Sequence, residues 1–257
     1  MIKKDDYIIG FLNFLYRIKC LFDFKENILL KKTKKFKDTY KDQDIFIVLN
    51  GPSVKNQDLS LLKTRNSMFT NRGFKHPLYK EIAPKFHVFV DPKMLTGEWS
   101  VTWLDEILEM VPDITFVMPV KWAFVDKFKP YVDRGVSILW LPMHDPLLCL
   151  GVSGYCFRAS VFLGFKNIYF TGFDGNGLAY ELINKGNSHF YGVNEENLVK
   201  SSKDYIRDLY MNSRHLNDLD AYAKSCRKNN INIYNITDGG IMDMFERKDW
   251  DSVLKAD

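Results

Sequence analysis

The chain reads as an α/β protein built on a mostly parallel sheet, and three observations predict this. First, Ile45-Phe46-Ile47-Val48-Leu49 is an unbroken apolar run, as in a strand buried on both faces. Second, further short apolar runs rich in β-branched and aromatic residues alternate with helical patterns, the rhythm of strands joined by right-handed crossovers. Third, several runs end in small polar residues or proline: Asn50-Gly51-Pro52-Ser53, Asn71-Arg72-Gly73, Asp91-Pro92 and Thr171-Gly172-Phe173-Asp174. In parallel sheets ligands gather beyond those carboxyl ends. The length, 257 residues, suits one large α/β domain or two small ones.

Residues 1–43 stand apart from the rest. Tyr7 to Leu30 has a broad apolar face including Ile8, Phe11, Leu12, Leu15, Ile18 and Phe22, and predicts a helix. Lys31, Lys32, Lys34, Lys35 and Lys37 follow it directly. A helix with such a face joined to a basic tract fits a segment lying on an anionic membrane surface through residues 7–37. It equally fits a helix packed on the main domain with a solvated basic linker. The charged residues Arg17, Lys19, Asp23, Lys25 and Glu26 exclude a signal peptide. No segment reaches the roughly 20 apolar residues needed to span a bilayer. The remaining charge is nearly balanced, unlike a nucleic-acid protein with a basic face. The four cysteines lack any Cys-x-x-Cys pair, as expected of reduced thiols in a cytoplasmic protein.

The main domain spans 44–257. After the strand at 44–49, Asp58 to Lys63 suits a short helix and Ser67–Thr70 a second strand. Phe86–Val90 is the third strand. Trp103–Met110 is helical, and Ile114–Met118 and Val136–Leu141 are strands closed by prolines. Val152–Phe165 has helical period, Ile168–Phe170 is a strand, and a long polar helix runs from about Asn197 to Asn229. Ile231–Ile236 is the last strand expected.

The first strand's end is the sharpest feature. Gly51 can take backbone angles denied to other residues or let another group approach closely. Pro52 suits a first helical turn, and Asn50 and Ser53 are capping residues. Strand, glycine turn and helix start together resemble an anion-binding corner. No Walker sequence is present, and no Gly-x-Gly-x-x-Gly follows the strand, which excludes a P-loop nucleotide hydrolase and disfavours a nicotinamide enzyme. The glycine- and asparagine-rich stretch at about 175–196 reads as a lid over the strand ends. Within it, His189 is the best general-base candidate, because its pKa lies near working pH. His87 reads as core, His76 and His215 as surface positions, and His144 as a residue near the cleft. Asp218-Leu219-Asp220 formally fits a metal-binding Asp-x-Asp, but side chains two apart on a helix diverge.

Taken together, Ile-Val-Leu-Asn-Gly-Pro-Ser at 47–53, Val-Ser-Gly at 152–154, Leu-Gly-Phe-Lys-Asn-Ile-Tyr-Phe-Thr-Gly-Phe-Asp at 163–174 and Asn-Ser-His-Phe-Tyr-Gly at 187–192 resemble the bacterial sialyltransferases of glycosyltransferase family 42. Related DUF115 and motility-accessory transferases share part of the pattern, and the resemblance covers about 44–240. It implies a Rossmann-like, doubly wound variant of the A-type glycosyltransferase fold with a lid segment. It also implies an inverting transferase that takes a sialic-acid-like sugar, another nonulosonic acid or Kdo, from a CMP-activated donor. The acceptor would be a glycan of bacterial surface polysaccharide or lipooligosaccharide, at the inner face of the cytoplasmic membrane. No cofactor or metal is implied, and a homo-oligomer is compatible with it.

Carried over by motif, Asn50 and Asn71 match donor-binding asparagines, Ser153 and Gly154 the pair holding the CMP part, and His189 the base. Tyr180 matches one of two lid tyrosines that stabilise the leaving phosphate. Gly51, Pro52, Ser53, Asp91 and Asp174 complete the donor-binding set expected at the strand ends. Three positions depart from the family: Gly175-Asn176 replaces the second lid tyrosine, Asp91 an asparagine, and Leu150 an acceptor-binding arginine. Backbone N–H groups of Gly51 and Gly154 are expected to help hold the phosphate. Two other readings stay compatible with the residues: a pyrophosphokinase-like enzyme using ATP, and a non-catalytic nucleotide-binding partner in a glycan assembly complex.

Overall fold

A computed structural model describes residues 23–142, 151–175, 189–192 and 201–255. Its centre is one eight-stranded sheet in the order β5-β4-β3-β2-β1-β6-β7-β8, with every neighbouring pair parallel. The strands are β1 (Asp44–Val48), β2 (Ser67–Thr70), β3 (Phe86–Val88), β4 (Thr115–Pro119), β5 (Ile138–Leu141), β6 (Asn167–Thr171), β7 (Asn232–Asn235) and β8 (Glu246–Arg247). From β1 the chain winds outward through β2 to β5, then returns to the other side of β1 at β6. The strand order therefore reverses between β1 and β6, the place where a doubly wound sheet opens a crevice.

Residues alternate across β1 as the two-residue period of a strand requires. Phe46 and Val48 enter one buried cluster with Phe69, Phe116, Leu104 and Ile107, whereas Ile45, Ile47 and Leu49 enter a second with Met68, Phe170, Phe157 and Leu219. Among the helices of eight or more residues, α1 (Phe24–Thr33) and α2 (Trp103–Met110) serve the first face. The other two, α3 (Gly151–Leu163) and α4 (Ser202–Lys228), cover the second. This three-layer arrangement is the Rossmann-like α/β architecture expected.

The structure departs from expectation at several elements. Helix α1 starts at Phe24, with Asp23 as N-cap accepting from the Glu26 N–H at 3.2 Å, so one helix does not run unbroken through 7–30. Within α1, Leu29 and Leu30 pack on the first core while Phe24 and Ile28 stay exposed. The part of the expected helix before residue 23 lies outside the described residues. Strand β8, only two residues long, continues the sheet past the expected last strand; so short a run carries no readable alternation. No helix among the described residues is long and apolar enough to cross a membrane.

Candidate active site

At the reversal between β1 and β6 lies an open cavity of about 430 Å³. Asn50, Gly51 and Pro52 line it from the end of β1, Asn71 from the end of β2, and Asp91 from the segment after β3. Ser153 contributes from the start of α3, Gly172 to Gly175 from the end of β6, and His189 and Tyr191 from the segment above. Residues scattered over 140 positions of sequence thus reach one space because they end neighbouring parallel strands. Ser53 and Gly154 are buried and are not among the lining residues. Tyr180 and His144 lie outside the described residues.

The turn after β1 is held differently from the expected capping corner. Gly51 has φ −62° and ψ 156°, an ordinary extended conformation open to any residue. It is glycine because of space: a Cβ there would stand 1.8 Å from Asp174 Oδ2 and 2.5 Å from the Gly172 carbonyl oxygen. The Gly51 N–H donates to that carbonyl at 2.8 Å, so it is spent within the protein and not offered to a phosphate. The Ser53 hydroxyl donates to Asp174 Oδ2 at 2.9 Å instead of capping a helix. Pro52 opens only a five-residue 3-10 turn without a side-chain cap, too short to carry much of a helix dipole. Asp174 therefore bolts the β1 and β6 loops together. Burial pushes its carboxyl up from the usual range, opposed by the Ser53 hydrogen bond.

Asn50 is buried, and its Nδ2 donates to the Thr70 carbonyl at 3.1 Å, tying the ends of β1 and β2. Among the described residues no donor reaches its buried Oδ1 or that of Asn71. Asn71 sits at φ +48°, the left-handed region that asparagine tolerates better than most residues. A buried relay holds it there. Tyr79 lies 2.8 Å from His87 Nδ1 through its hydroxyl, and His87 Nε2 lies 2.9 Å from the Asn71 carbonyl oxygen. With the hydroxyl donating to Nδ1, Nε2–H donates to the carbonyl. Burial drives the His87 pKa down to about 3, so the ring is neutral.

The Phe190 N–H donates to the Asn50 carbonyl oxygen at 2.9 Å, which ties segment 189–192 to the first turn. His189 stacks on Tyr191, with ring centroids 5.0 Å apart and planes at 17°. Behind this pair the Arg72 guanidinium is faced by three rings: Tyr191 at 5.8 Å, Trp99 at 5.4 Å and Trp103 at 5.5 Å. The imidazole thus stands at the cavity rim against an aromatic and cationic ladder.

On the far wall Met211, Asn212, His215 and Leu216 of α4 line the cavity. Their spacing is one helical face. His215, expected at the surface, is half-buried here; it meets Phe173 edge-on at 6.0 Å and fills the space beside Gly151. The polar sequence of α4 hid this face. Asp218 and Asp220 of the same helix lie outside the cavity and pair with Arg214 at 3.7 Å and Lys224 at 2.5 Å. Among the described residues no group of three His, Cys, Asp or Glu is arranged to hold a metal ion.

No family model and no curated protein matches the chain. Among solved structures, the MAf glycosyltransferase of Magnetospirillum magneticum AMB-1 is similar at 15% identity and a TM-score of 0.44. The likeness covers 91% of this chain, which spans 41% of that protein's length.

Proposed function

We propose that the chain is an inverting glycosyltransferase that moves a sialic-acid-like sugar, another nonulosonic acid or Kdo, from a CMP-activated donor to a glycan hydroxyl. The observation that carries this reading is the Phe190–Asn50 hydrogen bond, which sets His189 over the same cavity that Asn50, Asn71 and Ser153 line. A small polar rim of amides and a hydroxyl suits a nucleotide bound by directional hydrogen bonds. His189 takes the proton of the acceptor hydroxyl as that oxygen bonds to the anomeric carbon. The bond from that carbon to the phosphate oxygen breaks on the opposite face, and its electron pair leaves with CMP. The proton on His189 then passes to solvent. No metal is required in this scheme, since phosphate is a good leaving group. Exposed Lys31, Lys32, Lys34, Lys35 and Lys37 beside exposed Phe24 and Ile28 would set the enzyme against an anionic membrane carrying the glycan acceptor.

The test is His189→Ala assayed by CMP release from a panel of CMP sugars. General-base removal should lower turnover by roughly 10²–10⁴-fold with CMP affinity retained. Full activity in that variant, or no thermal shift of the wild-type chain with CMP, would sink the proposal. A shift with ATP alone would point instead to a kinase-like enzyme.

A further inference from the structure

The cavity has a charge problem that the residues named so far do not solve. Among the described residues its lining contains no lysine and no arginine, while two acidic residues, Asp91 and Asp174, belong to it. A nucleoside monophosphate leaving from an anomeric carbon gains negative charge as it goes, and a site without donors aimed at that charge stabilises it poorly. Among the described residues the lining offers two groups able to carry a positive charge, His189 and His215. His189 must be neutral to take a proton, which leaves His215.

Its position fits that duty. His215 projects from α4 against the first turn of α3, and a Cβ on Gly151 would come within 2.6 Å of its Cε1 and 3.1 Å of its Nδ1. Glycine there, at φ +55°, keeps room for the imidazole two residues before Ser153, which is among the residues lining the same cavity. Phe173 braces the ring from the β6 side. Gly51, expected to help, has already given its N–H to Gly172.

We propose that His215 is the phosphate-binding catalytic residue of this site, donating an N–H to the non-bridging phosphate oxygens of the nucleotide beside Ser153. It keeps its proton while the bond between the anomeric carbon and the phosphate oxygen breaks, so the proton balance given above is unchanged. The inference rests on the nucleotide-sugar reading of the cavity.

Calorimetric titration of CMP and of cytidine separates the two. His215→Gln should weaken CMP binding by about 10- to 100-fold, the worth of a hydrogen bond to a charged group, and leave cytidine affinity unchanged. Equal losses for CMP and cytidine, or no loss for either, would overturn the assignment. Should the variant fail to fold, imidazole resonances of the wild-type chain answer the same question. One ring lying against Phe173 should shift with CMP and not with cytidine, and equal responses to both ligands would overturn it. If UMP or AMP binds in place of CMP, the donor class fails, and the ratio of that nucleotide to its nucleoside then decides His215. Binding of no nucleoside monophosphate overturns both readings.

Discussion

Substituting Gly51 by alanine isolates what the first turn is for. Its φ and ψ are open to alanine, so the backbone itself costs nothing. The whole penalty comes from the added methyl, which would sit 1.8 Å from Asp174 Oδ2 and 2.5 Å from the Gly172 oxygen. The carboxylate would have to retreat by more than about 1 Å, and Ser53, 2.9 Å away, would lose its acceptor. The Gly172 carbonyl cannot retreat without stretching its own bond from the Gly51 N–H. Overpacking costs roughly 1–3 kcal/mol and a lost hydrogen bond to a charged group about 1.5–3 kcal/mol. A destabilisation of about 2.5–6 kcal/mol follows, or ~5–24 °C in Tm for a chain of this size. Urea denaturation of Gly51→Ala, Asp174→Ala and the double variant measures it. Asp174→Ala should recover part of the loss in the Gly51→Ala background, since the Gly172 contact remains. A Gly51→Ala chain melting within about 2 °C of the wild type would refute this packing account.

Two further outcomes follow from side chains one layer behind the cavity. His87 is neutral in the folded chain down to about pH 3 but titrates near 6.5 when unfolded, so the unfolded chain binds the extra proton between those values. Stability should therefore fall as pH drops from 6.5 towards 3, by up to ~1.4 kcal/mol per unit. Burial also lowers the pKa of His76, adding the same sign, while the raised Asp174 carboxyl acts in the opposite sense just above 3.8. Denaturation series at several pH values should show a shallower slope for His87→Gln, and identical slopes would remove His87 from the account. Arg72→Lys keeps the charge but loses the flat guanidinium that three rings face. It should cost about 1 kcal/mol in stability and lower turnover with CMP affinity unchanged, because Tyr191 would no longer hold the His189 ring. Unchanged turnover would show that the ladder does not position the base.

Strand ends were legible in the sequence because strand length and alternation decide them. The run at 45–49 announced β1, and once the order of a parallel sheet is granted, Asn50, Asn71, Asp91 and Asp174 have nowhere to go but the same rim. The rhythm of apolar runs likewise gave seven of the eight strands, and missed β8 because two residues hold no pattern. Residue type alone could not tell which polar groups remain available for a ligand. Ser53 looked like a donor to substrate and is consumed by Asp174, 121 positions away. The Gly51 N–H looked free and is taken by Gly172. His215 looked like a surface residue because its neighbours on α4 are polar, although Met211, Asn212, His215 and Leu216 fall on one helical stripe. Each miss has one cause: availability is set by hydrogen bonds and contacts between elements far apart in the chain, and no local pattern records those. The same cause explains why a histidine expected at the surface lines the cavity, while the turn expected to help hold the phosphate fastens two loops.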